Sequence, residues 1–552
     1  MKTPMRPPPF DRADTLQRLA AEQFDVLVVG GGITGAGVAL DAVTRGLRTA
    51  LVERDDFASG TSSKSSKLVH GGLRYLQQRE VGLVYEGLAE RQVALRNAPH
   101  LVRILPFLIP VLTRDGVISR RLARALGGAL WMYDLTGGLR IGKRHKRVSP
   151  DEALGHMPTL RSELLAGGYL YYDAHTDDAR LTLTLCRTAA AYGAAVANYA
   201  GVTSLRKDGD GRVRGARVQA DGDEVDVRTD VVVNAAGVWA DDVRALDEAT
   251  HPNSIRPGKG VHITVPWSKV RNNIAVVVPV AKDRRSVFVV PWGDLTYIGT
   301  TDTDFDGPLD DPECTPEDVA YLLRALNAVV VEQVDESDVL GTWAGLRPLL
   351  RTATNARTAD LSRRHAVRRS RSGVVTVTGG KLTTYRRMAA DTVDEVDRLL
   401  AKRRRCRTKR LKLLGADGYE PPAETNEPSR HEHLAVRYGT EAALVDELVE
   451  EDRDLADPLV PGLPYLKAEA VHAARREMAR TLDDVLTRRT RARLLARDDS
   501  AAAADDVAML VGRELGWDDA ERARQVKEYR AAVATERDAA GLPETGLDSS
   551  DG

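Results

Sequence analysis

Three glycines and a glutamate near the start of the chain have the spacing of a dinucleotide site. Gly30, Gly32 and Gly35 form G-x-G-x-x-G, and Glu53 lies 21 residues after Gly32. Glycines there let the backbone approach a pyrophosphate, and the N-terminus of a following helix offers N–H groups and a positive dipole end. A carboxylate at this distance can accept a hydrogen bond from a ribose hydroxyl. The pattern predicts an adenine-dinucleotide site without deciding between FAD and NAD.

A second glycine turn, followed by a lysine, lies far along the chain. Gly379, Gly380 and Lys381 stand between an apolar run at 373–378 and a helical pattern at 382–400. A helix N-terminus and a cation can stabilise a ring that gains negative charge. Flavins gain such charge on reduction, whereas nicotinamides lose a positive one. The turn therefore favours FAD, although an ordinary glycine turn before a helix explains the same residues.

Three cations and a histidine suggest how a substrate is bound. Arg74, Lys259 and Arg347 each stand beside a glycine or a turn rather than in a run of charges. The planar fork of arginine suits phosphate or carboxylate oxygens, so an anionic substrate is indicated. His262 could accept a hydroxyl proton while a hydride leaves the same carbon. Taken singly, each of these residues is better explained by a surface ion pair or a structural histidine.

The elements that must position these residues follow two patterns. Apolar runs at 24–29 and 49–52 flank a helical pattern at 36–45, which predicts a buried parallel βαβ unit. Further strand-like runs predict a mixed or antiparallel sheet in a second domain inserted into the first. These runs lie at 261–265, 274–280, 286–291 and 296–300.

Helical patterns dominate after residue 413 and predict a helical C-terminal domain. They lie at 430–438, 442–450, 467–478, 504–515 and 519–539, and residues 540–552 are expected to be disordered. Two basic stretches precede this region. Residues 363–372 are expected to form a loop, and residues 402–412, with eight basic residues in eleven, a linker or an exposed strip. Both basic stretches could meet anionic lipid, and solvated linker charge explains them equally well.

Length and composition narrow the class of protein. A chain of 552 residues predicts two or three domains. The 79 basic and 80 acidic residues nearly cancel, so net charge gives no hint of a nucleic-acid partner. Cys186, Cys314 and Cys406 are far apart, which argues against disulfides or a zinc site and fits a reducing cytosol. The histidines show no metal-site spacing, and no apolar run is long enough to span a membrane.

Seven segments, in this order along the chain, resemble the FAD-dependent glycerol-3-phosphate dehydrogenase family. HGGLRYL and GGKLTTYR are the most specific parts of this resemblance, which is strong over residues 24–400 and weaker in the helical tail. The segments are GGGITGAG (30–37), TSSKSSKLVHGGLRYL (61–76), YYDAHTDDARL (171–181), GKGVHITVP (258–266), VFVVPW with YIGTTDTDF (287–292 and 297–305), GLRPL (345–349) and TVTGGKLTTYR (376–386).

The resemblance implies an α/β protein with a Rossmann-like FAD-binding domain, an inserted mixed or antiparallel-sheet substrate domain and a helical C-terminal domain. The expected division is 24–110, 165–245 and 340–401 for the FAD-binding domain, 111–164 and 246–339 for the substrate domain, and 413–540 for the helical domain. The implied reaction oxidises sn-glycerol 3-phosphate to dihydroxyacetone phosphate by hydride transfer to FAD, with electrons passed to a quinone.

The resemblance also implies roles for single residues. Arg74 and Arg347 would hold the substrate phosphate, and Tyr75, His262, Lys381 and Thr384 would lie near substrate and flavin. The candidates for catalysis are thus His262, Arg74, Arg347 and Lys381, and those for substrate binding are Arg74, Tyr75, Lys259, His262, Arg347 and Thr384. The candidates for cofactor binding are Gly30, Gly32, Ile33, Thr34, Gly35, Glu53, Arg54, Thr61, Ser62, Ser65, Ser66, His70, Gly71, Gly72, Ala236, Gly237, Gly379, Gly380, Lys381, Leu382 and Thr383.

Several alternatives stay open at this point. The enzyme could be a glycerol-3-phosphate oxidase that uses oxygen, or another flavin oxidase of the same superfamily. A dinucleotide-binding sensor without catalysis is a third hypothesis. The resemblance implies a cytoplasmic protein with peripheral contact to the inner face of the cell membrane, leaves room for a homodimer, and includes neither a metal nor a nucleic acid.

Overall fold

The computed structural model describes residues 10–72, 80–112, 127–134, 142–280, 285–351, 364–422 and 429–547. Its strands, in chain order, are β1 (Gln23–Val29), β2 (Thr49–Val52), β3 (Leu68–Val69), β4 (Val102–Leu112), β5 (Lys146–Val148), β6 (Leu165–Thr176), β7 (Ala195–Ala197), β8 (Ala200–Lys207), β9 (Val213–Ala220), β10 (Asp223–Asn234), β11 (Ile255–Pro266), β12 (Ala275–Pro279), β13 (Ser286–Trp292), β14 (Leu295–Gly299), β15 (Thr303–Asp304), β16 (Gly341–Leu350), β17 (Ala366–Arg369) and β18 (Val375–Thr378).

Helices lie before, between and after these strands, and each of the helical patterns predicted at 36–45, at 382–400 and after residue 413 coincides with a helix. Before residue 400 they are Arg12–Ala21, Ile33–Thr44, Val81–Asn97, residues 127–134, Pro150–His156, Asp178–Ala191, Ala240–Glu248, Trp267–Val270, Pro316–Asn327 and Tyr385–Leu399. After residue 400 they are Arg430–Tyr438, Ala442–Glu451, Lys467–Arg476, the π-helical turn Asp484–Arg489, Ala492–Leu495, Arg497–Ala502, Ala504–Leu515 and Asp519–Ala539.

Eight of the described strands form the first sheet, in the order β17-β18-β10-β1-β2-β7 with the β8–β9 hairpin beside β10. β1 pairs in parallel with β10 and β2, and β10 pairs in parallel with β18. The middle of β1 is buried on both sides, as its continuous apolar run requires. The predicted parallel βαβ unit is confirmed, and the carboxyl ends of β1, β10 and β18 meet at one edge of the sheet.

Ten described strands form the second sheet, in the order β15-β11-β14-β13-β12-β4-β6-β3, with β16 beside β11 and β5 beside β6. β4 and β12 pair in parallel, and the neighbouring pairs are antiparallel. The predicted mixed sheet is confirmed. The domain division stays a prediction, but β4, β6 and β16, which it placed in the FAD-binding domain, pair in this sheet. The sequence did not reveal this, because β6 runs directly into the helix Asp178–Ala191, which packs against the first sheet.

The C-terminal residues form packed helices with their own apolar core, as predicted. Two expectations were wrong. Within the predicted loop at 363–372, β17 pairs with β18. In the tail that was expected to be disordered, residues 540–547 are packed, with Leu542 buried and Thr545 Oγ1 donating to the carbonyl oxygen of Val339 (3.2 Å). Of the helices in the described part of the chain, none is both long and apolar enough to cross a membrane.

Candidate active site

The first glycine turn joins β1 to the helix Ile33–Thr44 and leaves no room for side chains. Gly30 has φ +112°, and a Cβ there would lie 2.7 Å from the carbonyl oxygen of Ala235. A Cβ on Gly35 would lie 1.9 Å from the carbonyl oxygen of Gly30. Glycine therefore allows the turn, the helix and the end of β10 to meet at this edge.

The N-terminus of the helix Ile33–Thr44 carries no side-chain cap on Gly32 and no acidic residue in its first turn. Ile33 N–H donates to Ser62 Oγ (2.8 Å), and Thr34 and Gly35 follow in the same turn. A Cβ on Gly32 would lie 3.0 Å from Ser62 Oγ. A helix start whose N-cap residue has no side chain, in a cradle built from glycines, fits the pyrophosphate of an adenine dinucleotide.

Glu53 stands at the end of β2, where a ribose is expected. Its Oε2 accepts the Gly31 N–H (2.6 Å), and its Oε1 accepts the Asp55 N–H (2.9 Å). Burial raises the pKa of Glu53 to about 7, although the two backbone donors oppose this rise. A half-buried carboxyl that already faces the turn is suited to accept a ribose hydroxyl hydrogen bond. On the other side, Ala236 and Gly237 follow β10, and Gly237 has φ +61°.

The second glycine turn lies at the same edge, at the end of β18. Gly379 and Gly380 have φ +74° and +82°, and Lys381 then leads into a 3₁₀ turn, Leu382–Thr384, before the helix Tyr385–Leu399. His70 N–H donates to Thr383 Oγ1 (3.1 Å). This bond joins the second glycine turn to the segment 61–72.

The segment 61–72 carries most of the remaining cofactor candidates and is held by bonds to several elements. Thr61 Oγ1 donates to the carbonyl oxygen of Leu346 (2.5 Å), and Gly71 N–H donates to Tyr133 Oη (3.0 Å). Gly72 has φ +77°. The next candidates, Arg74 and Tyr75, lie outside the described residues.

His262 lies on β11 with its imidazole 2% exposed. The ring stacks on Trp343, with 4.8 Å between centroids and 9° between planes. Nε2 lies 2.9 Å from Ser66 Oγ, and among the described residues Nδ1 has no hydrogen-bond partner. Burial, with the charges of Lys67 and Arg347, holds the pKa of His262 well below its ordinary value. The imidazole is therefore neutral near pH 7 and able to accept a proton.

Arg347 on β16 reaches across β11 beside His262. Its Nη1 lies 3.3 Å from Asp302 Oδ1, and its Nη2 lies 3.2 Å from Thr300 Oγ1. A Cβ on Gly260 would lie 2.4 Å from Nη2, so a glycine is needed for this path. Because side chains alternate along a strand, Gly260 and His262 share one face, and the guanidinium lies on that face.

The contacts of Lys259 do not fit the prediction that it binds the substrate. Its buried Nζ donates to Asp318 Oδ2 (2.7 Å) and to the carbonyl oxygen of Glu313 (3.0 Å). Lys259 is three residues from His262, so the two side chains point to opposite faces of β11. Lys259 thus joins the sheet to the helix Pro316–Asn327, and the odd spacing was a signal that could have revealed it.

Arg54 follows Glu53 but is engaged in other contacts. Its exposed guanidinium pairs with Asp55 (3.1 Å) and Asp310 (2.6 Å) and lies 5.2 Å from the ring centroid of Trp239. These contacts engage its Nε and Nη2, and its role at the cofactor stays a prediction.

Two functional candidates were missed by the sequence reading. Buried Lys67 donates from Nζ to Asp178 Oδ1 (2.9 Å) and to the carbonyl oxygen of Ser63 (3.0 Å), and Nζ lies 4.8 Å from the ring centroid of Trp343. Burial lowers the pKa of Lys67 to about 8. Asp178 also accepts hydrogen bonds from Ser65, whereas Asp177 alone caps the helix. A lysine within a serine-rich run and a pair of adjacent aspartates were the available signals.

Comparison with known proteins agrees with this geometry. Residues 25–386 match the family model of FAD dependent oxidoreductases, and residues 406–522 match the C-terminal domain of alpha-glycerophosphate oxidase. Glycerol-3-phosphate dehydrogenase 2 of Mycobacterium tuberculosis is 42% identical over 540 residues, which cover 96% of this chain and 91% of the relative. The mitochondrial glycerol-3-phosphate dehydrogenase of Homo sapiens is 38% identical, over 95% of this chain and 75% of the relative.

Solved structures extend the likeness to the whole fold. The glycerol-3-phosphate dehydrogenase of Bacillus halodurans, complexed with FAD, superposes with a TM-score of 0.76 and 31% identity, over 97% of this chain and 99% of that one. L-alpha-glycerophosphate oxidase of Mycoplasma pneumoniae, with FAD bound, has a TM-score of 0.55 at 19% identity over 71% of this chain and 98% of that one, and shares the fold. With two glycine turns at one sheet edge and relatives that match over nearly its full length, the chain belongs to the family of FAD-dependent glycerol-3-phosphate dehydrogenases.

Proposed function

We propose that the chain oxidises sn-glycerol 3-phosphate at C2 to dihydroxyacetone phosphate, with FAD as the hydride acceptor and a quinone as the final acceptor. One arrangement carries the proposal. Neutral His262 and the cation of Arg347 share a face of the second sheet, and the segment 61–72 connects that face to both glycine turns. A candidate base, a candidate anion site and a candidate cofactor site are therefore joined by one segment of the chain.

The residues present fit FAD. Gly30 to Gly32 and the helix start would hold the pyrophosphate, Glu53 the ribose, and the Gly379–Lys381 turn the region of the reactive ring. When bound, FAD supplies the acceptor for the hydride that leaves C2. Lys381 would supply a cation close to that ring.

The chain's own residues would hold the substrate and remove its proton. In the tautomer whose Nε2–H donates to Ser66 Oγ, the lone pair of His262 is on Nδ1, which would accept the proton of a substrate hydroxyl. Arg347 would bind the phosphate through charge-assisted hydrogen bonds. Arg74 and Tyr75 are proposed for the same pocket on the resemblance alone.

Transfer to a quinone would require contact with a membrane surface. Trp131 and Met132, on the helix at 127–134, are 55% and 45% exposed, and seven of the eight basic residues in 402–412 are exposed. Aromatic side chains favour the interface, and cations are attracted to anionic lipid. These features support peripheral attachment to the inner face of the membrane. A homodimer is proposed from the resemblance alone.

A second candidate differs in the electron acceptor. The match of residues 406–522 to the C-terminal domain of alpha-glycerophosphate oxidase favours the use of oxygen. The same site would carry out the first half of that reaction, so the two candidates separate at flavin reoxidation.

Anaerobic reduction of the bound flavin tests the proposal. We expect sn-glycerol 3-phosphate, but neither glycerol nor an amino acid, to remove the visible absorbance of oxidised flavin. A soluble quinone should restore it faster than oxygen does if the dehydrogenase candidate is right. The proposal fails if glycerol 3-phosphate leaves the flavin oxidised.

Arg347→Met tests the anion site in the same assay. Loss of a charge-assisted contact should raise the KM for glycerol 3-phosphate by about 10- to 100-fold. The flavin content should stay at the wild-type level, because the contacts of the guanidinium with described residues are to Thr300, Thr301 and Asp302 and not to either glycine turn. Loss of flavin from this variant would contradict its assignment to the substrate.

A further inference from the structure

The C-terminal helical region reaches the candidate active site through Arg491. This side chain is fully buried and follows the π-helical turn Asp484–Arg489. Its Nη2 donates to Asp177 Oδ1 (2.7 Å) and makes a short ion pair with Asp178 Oδ1. Asp177 caps the helix Asp178–Ala191, and Asp178 is its first residue. Asp178 lies 313 residues before Arg491 in the chain.

Asp178 connects this arginine to the segment that carries Ser66. Its Oδ2 accepts the Ser65 N–H (2.9 Å) and the Ser65 Oγ–H (2.6 Å), and its Oδ1 accepts Lys67 Nζ (2.9 Å). One carboxylate thus binds the residue before Ser66 and the residue after it. Lys67 has φ +56°, a backbone conformation that a non-glycine residue needs contacts to maintain.

Ser66 is fixed from the side of the sheet as well. Tyr297 Oη donates to its carbonyl oxygen (3.0 Å), and Trp343 Nε1 donates to the carbonyl oxygen of Ser65 (3.1 Å). The Ser66 hydroxyl meets His262 Nε2, and the imidazole stacks on Trp343. The orientation of His262 therefore depends on where this short segment lies.

Arg491 supplies one of the two cations that bond directly to the aspartates of this cluster. Lys67 and Arg491 bear two positive charges, and Asp177 and Asp178 bear two negative ones, with Arg437 3.6 Å from Asp177 at its edge. Buried charges without partners are costly, so removal of one member should displace the others.

We propose that Arg491 is a positioning residue for the active site, which acts through Asp178 and Lys67 on the Ser66–His262 pair. The C-terminal helical region would then complete the site rather than merely cover it. This inference rests on the proposed function only for its kinetic readout.

Arg491→Met in the full-length holoenzyme is the principal test, and Arg489→Met is its matched control. Arg489 is as deeply buried and lies in the same segment, but it pairs with Asp56, away from Ser66. Displacement of His262 by about an ångström should lower kcat about 10- to 100-fold in Arg491→Met. KM should change much less, and Arg489→Met should keep kcat near the wild-type value.

Lys67→Met supplies a readout that loss of stability alone would not produce. Among the described residues, the charged groups facing His262 are Lys67 and Arg347, and its other neighbours, Ser66, Tyr297 and Trp343, are uncharged. Removing the Lys67 charge raises the pKa of His262, so the acidic limb of the kcat/KM profile should move to higher pH. The Arg489→Met profile should stay in place.

A measurement without FAD or turnover completes the design. The rate at which diethyl pyrocarbonate modifies His262, followed by peptide mass spectrometry, should rise in Arg491→Met because the imidazole loses its packing. Unchanged kcat, pH profile and modification rate in both Arg491→Met and Lys67→Met would overturn the inference, as would equal changes in Arg489→Met. If Arg491→Met does not fold, Arg491→Lys decides, because it keeps the charge but loses the guanidinium fork, and its kcat should fall and its modification rate should rise. A wild-type flavin that glycerol 3-phosphate cannot reduce would refute the proposed function, while the modification rates still judge the inference.

Discussion

The interior of the first sheet and its interface with the C-terminal helices are both buried but are stabilised differently. In β1, the side chains of Val26, Leu27 and Val28 are fully buried among other apolar groups. At the interface, buried Arg489 pairs with Asp56 (2.6 Å), and buried Arg187 pairs with Glu441 (2.9 Å). One region is stabilised by contact between apolar side chains, and the other by the pairing of opposite charges.

The difference affects how each region responds to change. Apolar burial has no preferred direction, so many side-chain arrangements serve it. A buried ion pair repays its desolvation cost only in good geometry, and loss of one partner leaves a charge uncompensated. The interface should therefore be more sensitive than the sheet interior to the loss of a single side chain.

Glu477→Ala should produce the largest effect. Glu477 is fully buried, forms a short ion pair with Arg180, and lies 3.9 Å from both Arg187 and Arg489. Its loss leaves cationic groups uncompensated and should lower the free energy of unfolding by about 3–5 kcal/mol, measured in urea. The double variant Arg180→Met/Glu477→Leu removes the main pair together and should cost less. Equal losses in both would show that charge pairing does not govern this interface.

Gly35→Ala should have the next largest effect and should act on the apolar region. Its Cβ would lie 1.9 Å from the carbonyl oxygen of Gly30, so helix and turn must separate. We expect a loss of about 1–3 kcal/mol in unfolding free energy and a lower flavin-to-protein ratio. Gly155→Ala is the control, because its Cβ would meet nothing within 4 Å. Full flavin content in Gly35→Ala would contradict the assignment of the turn.

The carboxyl groups of the two regions should make contributions to the free energy of unfolding that depend on pH with opposite sign. Burial favours protonation of Glu477 and Asp56, but nearby arginines outweigh it and hold the pKa of each at about 2. Their stabilisation is present above the ordinary carboxyl pKa and is lost as pH falls toward 2. Burial raises the pKa of Glu53 to about 7, so its contribution is present below 4.5 and is lost as pH rises through about 7.

Thermal unfolding of the FAD-free protein across this pH range would measure both trends. Glu53→Gln should remove the decline near neutral pH and leave the acid limb unchanged. A decline near neutral pH that persists in this variant would mean that another group causes it.

Arg524→Ala should have the smallest effect. Arg524 pairs with Glu528 (2.7 Å) on the helix Asp519–Ala539, and the two side chains are 51% and 58% exposed. Exposed pairs contribute little, so we expect a change below about 0.5 kcal/mol in unfolding free energy by urea titration. A loss comparable to that of Glu477→Ala would remove the distinction between buried and exposed pairs.

Much of the fold could be predicted because its signals are local. The apolar run of β1, the spacing of Gly30, Gly32 and Gly35, and the helical periods after residue 413 each report on a few neighbouring residues. The sheet to which β4 and β6 belong could not be read in this way. Strand pairing joins segments distant in the chain, and their apolar runs look alike in either sheet.

The same distinction between local and long-range signals applies to the candidate site. By itself the sequence determined the chemistry that is present: the glycine turns, the carboxylate after β2, and His262 and Arg347 among the candidate residues. The tertiary structure alone decided which charged groups face that chemistry. Lys259 pairs with Asp318 on the far side of β11, while Lys67, joined through Asp178 to Arg491, lies beside His262. The physical reason is that a buried charge is stabilised by its partner in space, which the linear order of residues does not specify.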